Sequence, residues 1–357
     1  MNAAEGGDSR ASARRHPLRV RVVAALFLAP LLAFVPQSAR GQVLSDVFER
    51  VQRAVVTIRT TERELGPSGD RTTVSVAGQG SGVLISADGK VLTAAHVVDL
   101  ASEIHVEFSE GERVRAHVVA SEPAADVSLL QLDRIPPGAV AVRLADSDRA
   151  RIGDRVFIVG APYGINRTLT VGHVSGRHRP GRVWDRFALA EFLQTDAAIN
   201  RGNSGGPMFS MDGEVLGVVS HLISQSGGFE GLGFVVAANV ARKLLIERRA
   251  PWWGFDGLLL TGDLLKALNL REPGLLVQRV VENSPAEKLG LRGGFIKATI
   301  GDKTLLLGGD IILQVQGMPC GETHRVHDAL AELKPGQHLT LTISRDGEVR
   351  ELTAVVP

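Results

Sequence analysis

The sequence predicts a mostly β chain, in which an antiparallel barrel or sandwich is followed by a small domain of mixed strands and helices. Short runs rich in Val, Ile and Leu recur at even spacing over the first two thirds, separated by turn dipeptides such as Asp88-Gly89. Aromatic residues make up only 4% of the 357 residues, whereas glycine occurs 40 times. Beyond residue 250 the pattern changes to strands mixed with short helical segments.

The N-terminal residues have the composition of an export signal. A basic stretch ending at Arg21 precedes fourteen uncharged residues, Val22 to Val35, and small residues follow. The alternative is an uncleaved anchor in the inner membrane, which normally needs about 20 apolar residues, and this stretch is shorter and contains Pro30. We therefore expect residues 1–41 to be an export signal, with the anchor as the alternative. The rest of the protein is expected to be periplasmic or secreted.

Charge and cysteine content exclude several function classes. The chain has 40 Lys and Arg against 39 Asp and Glu, so nothing indicates nucleic acid as a partner. The single cysteine, Cys320, excludes an internal disulfide and a thiolate metal cluster. We expect a protein that works without a cofactor or a metal.

The predicted elements of the β region follow one another with clear turn signals. Besides Asp88-Gly89, hairpins are predicted at Glu110-Gly111 and Asp212-Gly213. The first convincing helix is Asn239–Arg249, which we expect to begin with Asn239 as its N-cap and to close the β region.

A boundary is predicted at the sequence APWW, which ends at Trp253. The segment beyond it predicts strands and short helices, one capped by Ser284 and another spanning Glu322–Leu333. A terminal hairpin turns at Asp346-Gly347, and the stretch FIKATIGDKTLLLGGD predicts an extra hairpin.

The sequence QTDAAINRGNSGGPMF packs three glycines and a proline around Ser204. A serine nucleophile needs a base, a carboxylate that orients the base, and N–H donors for the oxyanion, and glycine permits the backbone geometry that such donors require. His96 ends a β-like run and Asp126 opens a hydrophobic strand. Singly, the three residues are explained by a tight turn, a core histidine and a strand cap. Together, in the order His, Asp, Ser within one β region, they predict a catalytic triad.

These motifs closely resemble those of the HtrA/Deg family of trypsin-like serine proteases. The segments GSGVLISADGKVLTAAHVV, DVSLLQL, IGDRVFIVGAPYG and QTDAAINRGNSGGPMF carry the likeness over Leu44–Arg249. The segments GLLVQRVVENSPAEKLGL and LGGDIILQVQG resemble the PDZ domain of that family. The resemblance implies a trypsin-like double β-barrel protease domain at 42–250, with the triad in the cleft between two six-stranded barrels. It implies a small α+β PDZ domain at 251–357.

The resemblance also implies the roles of the site residues. Ser204 would be the nucleophile, His96 the general base and then acid, and Asp126 the group that orients His96. The oxyanion hole would consist of the N–H groups of Gly202 and Ser204, helped by Asn203. Zymogen-activated relatives of this fold have an aspartate before the nucleophile, which pairs with a new N-terminus. Because Asn203 is uncharged, we expect no activation by N-terminal cleavage alone.

Substrate recognition is implied in the same way. The strand Gly217–Ile223 would pair with an extended substrate through Ser220, His221 and Leu222. Ala198 lies six residues before the nucleophile, where the floor of the specificity pocket is expected. A small uncharged residue there argues against a preference for Lys or Arg and favours cleavage after small or medium aliphatic residues.

The PDZ domain implies a peptide partner. Such a domain binds an extended C-terminal peptide as an added strand, and Trp253, Gly254 and Phe255 lie where the carboxylate-binding loop is expected. The alternative is that these aromatic residues fill the interface between the domains. Family membership implies unfolded or misfolded proteins as substrates and a homotrimer or larger homo-oligomer formed through residues 42–53. Two other functions remain open, a chaperone or peptide-sensing adaptor and a narrow regulatory protease that cuts one membrane substrate.

Overall fold

The computed structural model describes residues 38–66, 73–161, 168–224, 228–301, 303–334 and 336–356. Residues 1–37 of the expected export signal lie outside the described residues. The described residues from Gln42 onward belong to one compact unit, Gln42–Pro357. Within the described residues, no helix has the length and apolar character needed to cross a membrane.

Helix α1 (Ser38–Val51) begins the described chain. Its side chains Leu44, Val47 and Val51 recur at helical spacing and are buried. The turn at Gly213 lies against Val47 and Val51, and Arg50 Nη2 donates a hydrogen bond to the Asp212 carbonyl at 3.0 Å. The helix is therefore held on a predicted hairpin turn of the β region.

Six antiparallel strands form the first closed barrel, in the order β1-β2-β3-β6-β5-β4. The turn that joins β2 to β3 contains Gly89, whose φ of 90° is readily adopted by glycine. A one-turn helix, α2 (Ala95–Val98), follows β3. The strands are β1 (Val55–Leu65), β2 (Thr73–Leu84), β3 (Lys90–Thr93), β4 (Ala101–Glu107), β5 (Arg113–Glu122) and β6 (Val127–Leu132).

The second closed barrel has the strand order β10-β11-β12-β9-β8-β7. Its interior includes the fully buried rings of Phe157 and Phe209, which stack with centroids 5.1 Å apart. One continuous apolar cluster contains side chains from both barrels, and the predicted double barrel is confirmed. The strands are β7 (Arg155–Gly160), β8 (Thr168–His178), β9 (Phe192–Thr195), β10 (Pro207–Ser210), β11 (Val215–Leu222) and β12 (Gly233–Ala237).

The helix that follows the second barrel differs from its prediction. Helix α3 (Ala238–Ala241) continues as a π-helical turn, Arg242–Glu247, and Ala237 occupies the N-cap position. The predicted helix Asn239–Arg249 with Asn239 as its cap is therefore wrong at both ends. The Asn239 side chain bonds outside the helix start, because its Nδ2 donates to Asp146 Oδ1 at 2.8 Å.

The C-terminal region forms a sheet in the order β13-β14-β17-β19-β20, with β18 paired to β17 and a separate hairpin, β15–β16. The predicted extra hairpin is confirmed, as is the Ser284 cap, which accepts a hydrogen bond from the Glu287 N–H at 3.2 Å. The strands are β13 (Phe255–Leu260), β14 (Gly274–Val280), β15 (Ile296–Ile300), β16 (Lys303–Leu307), β17 (Ile311–Val315), β18 (Met318–Pro319), β19 (His338–Arg345) and β20 (Glu348–Val355). The helices are α4 (Gly262–Ala267), α5 (Pro285–Leu289) and α6 (Thr323–Glu332).

Polar contacts join the barrels to the C-terminal sheet within the unit Gln42–Pro357. Trp252 Nε1 donates to the Asp99 carbonyl at 3.2 Å. At the far end of β1, Arg279 pairs with Glu62 at 3.4 Å and Glu64 at 3.6 Å. These ion pairs connect the first barrel to strand β14.

Candidate active site

Helix α2 presents His96 at the surface of the first barrel. The other three residues of its single turn, Ala95, Val97 and Val98, are buried, so the imidazole is directed away from the core and keeps 39% of its side-chain surface exposed. Its Nδ1 lies 2.9 Å from each carboxylate oxygen of Asp126. The His96 backbone N–H also donates to Oδ1 of that carboxylate at 3.1 Å.

Asp126 joins a 3-10 turn to strand β6 and has an unusual backbone conformation. Its φ of 55° is in the left-handed region, which aspartate tolerates better than most residues. The side chain is buried, with 1% of its surface exposed. Asp126 is therefore a fixed, desolvated carboxylate behind the imidazole of His96.

The second barrel contributes two further groups to this carboxylate. Ser220 Oγ donates a hydrogen bond to Asp126 Oδ2, and His221 Nδ1 lies 3.4 Å from the same oxygen. Burial alone would raise the pKa of Asp126, but hydrogen bonds from His221, His96 and Ser220 outweigh burial and hold the pKa far below its usual range. The carboxylate is thus ionised throughout the neutral pH range.

Ser204 lies on a loop that is anchored on both barrels. Ser81 of the first barrel donates its N–H to the Ser204 carbonyl at 2.8 Å, and Gly205 donates to the Val219 carbonyl at 2.7 Å. A Cβ on Gly205 would approach the Ser81 carbonyl to 2.3 Å, and the φ of Gly205 is 82°. Only glycine fits this position, which explains one of the glycines beside the serine.

The N–H groups of Gly202 and Ser204, the two main predicted oxyanion-hole donors, differ from the Asn203 N–H in their hydrogen bonds. Among the described residues, the structure records no hydrogen-bond acceptor for the N–H of Gly202 or Ser204. Asn203 instead donates its N–H to the Asn200 carbonyl at 3.0 Å. Its side chain is buried, with 1% of the residue exposed, and lies against Gly160. The Asn203 N–H is thus already bonded within the loop, unlike the N–H groups of Gly202 and Ser204.

The Ser204 hydroxyl lies between the two barrels. Its Oγ donates a weak hydrogen bond to the Ser220 carbonyl at 3.4 Å, and the neighbouring Gly205 lies against the backbone of Ala94, two residues before His96. Catalytic hydrogen bonds are often long or poorly aligned in a free enzyme and tighten on substrate binding. Ser220 also donates to Asp126, so this residue of β11 contacts both the Ser204 hydroxyl and the carboxylate that holds His96.

Strand β11 carries three of the four predicted substrate residues. The Ser220 side chain turns inward to Asp126 and is 2% exposed, so this residue presents only its backbone to a substrate. His221 and Leu222 are partly exposed. Ala198 is also partly exposed, and its carbonyl accepts a hydrogen bond from Thr170 Oγ1 at 2.9 Å.

An aromatic cluster beside the site was missed by the sequence analysis. The His221 ring lies 5.0 Å from Phe187 and 5.7 Å from Trp184, measured between centroids. It also lies 4.9 Å from the His96 ring. The sequence VWDRF, which contains Trp184 and Phe187, is a concentration of aromatic residues in a chain with few of them, and it is the signal that could have found this cluster.

The C-terminal sheet has its own apolar cavity, of about 240 Å³. Trp253 and Phe255 line it together with side chains of α6 and the sheet, such as Leu330 and Leu341. Between the two aromatic residues, Gly254 has a φ of 73°, and a Cβ there would approach Ser284 to 2.4 Å. These three residues thus form a closely packed segment at the edge of an apolar cavity.

Comparison with known proteins defines the class to which this fold and site belong. The sequence matches the trypsin-like peptidase domain over residues 80–218 and the PDZ domain over residues 262–356. The chain has two closed barrels followed by a PDZ domain, with a histidine, an aspartate and a serine between the barrels. This is the architecture of a trypsin-like serine protease with one PDZ domain.

Similar proteins identify the family. The chain is 36% identical over 284 residues to the "Probable periplasmic serine endoprotease DegP-like" of Ectopseudomonas mendocina, covering 78% of this chain and 56% of the relative. It is 34% identical over 277 residues to "Periplasmic serine endoprotease DegP" of Escherichia coli (strain K12), covering 75% of this chain and 55% of the relative. The chain therefore spans about half the length of the curated relatives that it matches.

A solved structure supports the same assignment over nearly its whole length. The "HtrA-type protease AlgW with tripeptide" is 30% identical, with a TM-score of 0.52, and the match covers 88% of this chain and 96% of that chain. The same protein with a decapeptide gives 29% identity and a TM-score of 0.51, covering 88% of this chain and 98% of that chain. The chain belongs to the HtrA/Deg family of trypsin-like serine proteases.

Proposed function

We propose that this protein is a serine endopeptidase of the cell envelope, in which residues 42–250 form the protease domain and residues 251–357 the PDZ domain. The observation that carries the proposal is the 2.9 Å bond between His96 Nδ1 and the buried Asp126 carboxylate, together with the contact of Ser204 Oγ with Ser220, which donates to the same carboxylate. This combination supports nucleophilic catalysis by a serine hydroxyl.

The chemistry follows from the positions of the groups. Because Asp126 binds Nδ1–H of His96, the imidazole keeps Nε2 unprotonated and able to accept the Ser204 proton during attack on a peptide carbonyl. The ionised Asp126 stabilises the imidazolium that forms, and His96 then protonates the leaving amine. The N–H groups of Gly202 and Ser204 would hold the oxyanion, and each such donor typically lowers the barrier by about 3–4 kcal/mol.

Substrate selection is assigned to the second barrel. An extended substrate would pair with strand β11 at Ser220–Leu222, and Ala198 would form the floor of the specificity pocket. Because Ala198 offers no charge, cleavage after small or medium aliphatic residues is expected. Profiling with a peptide library tests this, and a preference for Lys or Arg would contradict it.

The substrates that we propose are unfolded or misfolded proteins of the periplasm, since the relatives are named periplasmic endoproteases. The C-terminal domain would bind the C-terminus of a peptide at the segment Trp253–Phe255 and place its last side chain in the apolar cavity. A homotrimer or larger homo-oligomer would form through residues 42–53, which include most of helix α1.

The variant Ser204→Ala tests the catalytic proposal. It should abolish digestion of unfolded casein, because the nucleophile is lost, while binding of a C-terminal peptide and the oligomeric state should remain unchanged. Digestion that persists in this variant would contradict the proposal.

The chaperone or adaptor would be favoured instead if Ser204→Ala fully protects an unfolded protein from aggregation and the wild-type protein shows no proteolysis. Comparing the proteomes of a null strain and a Ser204→Ala strain would reveal a single membrane substrate if the enzyme is a narrow regulatory protease.

A further inference from the structure

Three rings beside the catalytic groups have no role in the proposed catalysis. We call Trp184, Phe187 and His221 the aromatic shelf. The His221 ring lies 5.7 Å from Trp184 and 5.0 Å from Phe187, measured between centroids. Phe187 is buried, whereas Trp184 and His221 are partly exposed. Two rings of the shelf therefore offer surface to a ligand, and the third packs against both of them.

Contacts with both barrels hold the shelf in place. Trp184 packs edge-to-face against Phe192 and Phe234, two buried rings of the second barrel, with centroids 5.5 and 5.0 Å away. In the same loop, the Leu189 N–H donates a hydrogen bond at 3.0 Å to the carbonyl of Ala124, in the 3-10 turn before strand β6 of the first barrel. The shelf is thus a preformed surface that bridges the two barrels.

The position of His221 on strand β11 determines which part of a substrate meets the shelf. Ser204 Oγ lies 3.4 Å from the Ser220 carbonyl, so Ser220 is the residue of β11 beside the scissile residue of an extended, antiparallel substrate. His221 then lies opposite the residue immediately before the scissile one, which we call the preceding residue. Side chains directly opposite each other in paired antiparallel strands share one face and contact each other.

Charge around the shelf selects among side chains. Residues 179–187, RPGRVWDRF, contain one aspartate and three arginines, and all three arginines are exposed. The Arg186 guanidinium lies over the Phe187 ring, 4.5 Å from its centroid. Asp126, the carboxylate recorded next to His221, is 1% exposed and already accepts a hydrogen bond from Ser220. A cationic side chain is therefore disfavoured, whereas an uncharged ring can pack edge-to-face or offset against the rings of the shelf.

We propose that the aromatic shelf is a binding subsite for the preceding residue of the substrate and selects Phe, Tyr or Trp there. The inference rests on the proposed function, because Ser204 and strand β11 set the register of the substrate. Cleavage would then occur where an aromatic residue is followed by a small or medium aliphatic one. Because aliphatic and aromatic side chains are largely buried in folded proteins, the subsite would favour chains that have lost their fold.

A binding experiment tests the subsite without catalysis. It uses full-length Ser204→Ala and three labelled peptides with Val as the scissile residue, which differ only at the preceding residue: Phe, Ala or Lys. The peptides end in an amide, because the carboxylate that a PDZ domain recognises is then absent. Fluorescence anisotropy should show that the Phe peptide binds at least about tenfold more tightly than the Ala peptide. The Lys peptide should bind no more tightly than the Ala peptide.

Variants of the shelf separate the role of the ring from that of the fold. In the Ser204→Ala protein, Trp184→Leu should remove the preference for Phe, because it keeps an apolar side chain against the second barrel but lacks the ring. Trp184→Phe should retain most of the preference. The control is Trp252→Leu, since Trp252 bonds to the Asp99 carbonyl instead, and this variant should keep the full preference. Each preference is a ratio of two affinities, so a partial loss of folded protein cancels from it.

Kinetics then separates the subsite from the proposed function. With Ser204 intact, kcat/KM should be at least about tenfold higher for the Phe peptide than for the Ala peptide, and Trp184→Leu should abolish this difference. The subsite is overturned if the three peptides bind equally, if the preference survives Trp184→Leu, or if Trp252→Leu removes it as well. Equal binding together with loss of the oligomer in Trp184→Leu would mean that a second copy of the chain covers the shelf, and would also overturn the proposal. Selective binding by Ser204→Ala without any proteolysis by the wild-type protein would refute the proposed function alone.

Discussion

Two carboxyl groups flank helix α2, and their pKa values are shifted in opposite directions. Hydrogen bonds hold the pKa of Asp126 far below its usual range despite its burial. Burial raises the pKa of Asp99 to about 7, although the hydroxyls of Ser121 and Ser128 donate to it. The difference shows that burial does not decide the charge of a carboxyl group. The donors decide it, since Asp126 has two imidazoles, a hydroxyl and a backbone N–H, whereas hydroxyls are the recorded side-chain donors to Asp99.

The two groups also differ in what they hold in place. Asp126 orients His96, while Asp99 ends helix α2 and its carbonyl accepts a hydrogen bond from Trp252, at the start of the C-terminal region. We therefore expect changes at Asp126 to affect catalysis and changes at Asp99 to affect stability and its dependence on pH.

The largest expected effect is that of Asp126→Asn on catalysis. An amide in place of the carboxylate no longer stabilises the imidazolium and favours the wrong tautomer of His96, so kcat should fall about 10⁴-fold, as in other triads of this type. Steady-state kinetics on a peptide substrate measures this. Asp99→Asn is the control, because it removes a carboxyl group from the other side of α2 and should leave kcat within a few-fold of the wild-type value. Similar losses in both variants would contradict the division of roles.

The next effect concerns how the stability of the protein depends on pH. The pKa of Asp99 rises from 3.8 to about 7 on folding, so the folded state binds the proton more tightly. Its contribution to stability is fully present below pH 3.8, decreases as the pH rises to about 7, and is lost above that value. The variant Asp99→Asn has no carboxyl group to ionise at this position. The difference between its unfolding free energy and that of the wild type should therefore increase from pH 4.5 to pH 8. We expect a gain of at most about 3 kcal/mol, because the range from pH 4.5 to about 7 covers most of the shift in the pKa of Asp99 and one pH unit corresponds to about 1.4 kcal/mol.

Thermal unfolding at several pH values measures this gain. Asp263→Asn is the control, since the Asp263 side chain is fully exposed and its replacement should leave the difference from the wild type nearly constant with pH. A flat difference for Asp99→Asn as well would show that the Asp99 carboxyl group does not stay protonated in the folded protein.

A smaller effect is expected where a hydroxyl donates to each carboxyl group. Ser220→Ala removes one charged hydrogen bond from Asp126, and the typical value of such a bond, about 1.5 kcal/mol, corresponds to a fall in kcat of about tenfold. KM should change little, because the Ser220 side chain points away from the substrate. Ser121→Ala, the matched change at Asp99, should leave kcat unchanged. A Ser220→Ala enzyme with wild-type kcat would show that the remaining donors suffice to orient Asp126.

The contrast between the two carboxyl groups also shows what the sequence could predict. The residues His96, Asp126 and Ser204 lie in short motifs, and turn glycines such as Gly89 identify themselves through local backbone requirements. The contact of Ser220 and His221 with Asp126 is different in kind, because it joins strands of two barrels and depends on how those barrels pack. The same applies to Asn239, which suits a helix cap by type but bonds to Asp146 instead. Local patterns therefore predicted a mostly β chain and the candidate triad, the family resemblance implied the double barrel, and neither predicted the contacts made by packing.

The smallest effect is expected at a third carboxyl group, Glu62, at the contact between β1 and β14. Burial raises the pKa of Glu62, and the nearby Arg279 only partly offsets this rise. The guanidinium, 3.4 Å from Glu62, therefore lowers the pKa of this carboxyl group much less than the donors around Asp126 lower the pKa of Asp126. The groups of this pair are partly exposed, and such pairs typically contribute less than about 1 kcal/mol. Arg279→Ala should therefore lower the unfolding free energy by less than about 1 kcal/mol, and the loss should shrink at high salt. Denaturant unfolding at two salt concentrations checks this. A larger, salt-independent loss would mean that this contact resembles the buried Asp126 site after all, with charges that must stay paired for the C-terminal sheet to remain on the first barrel.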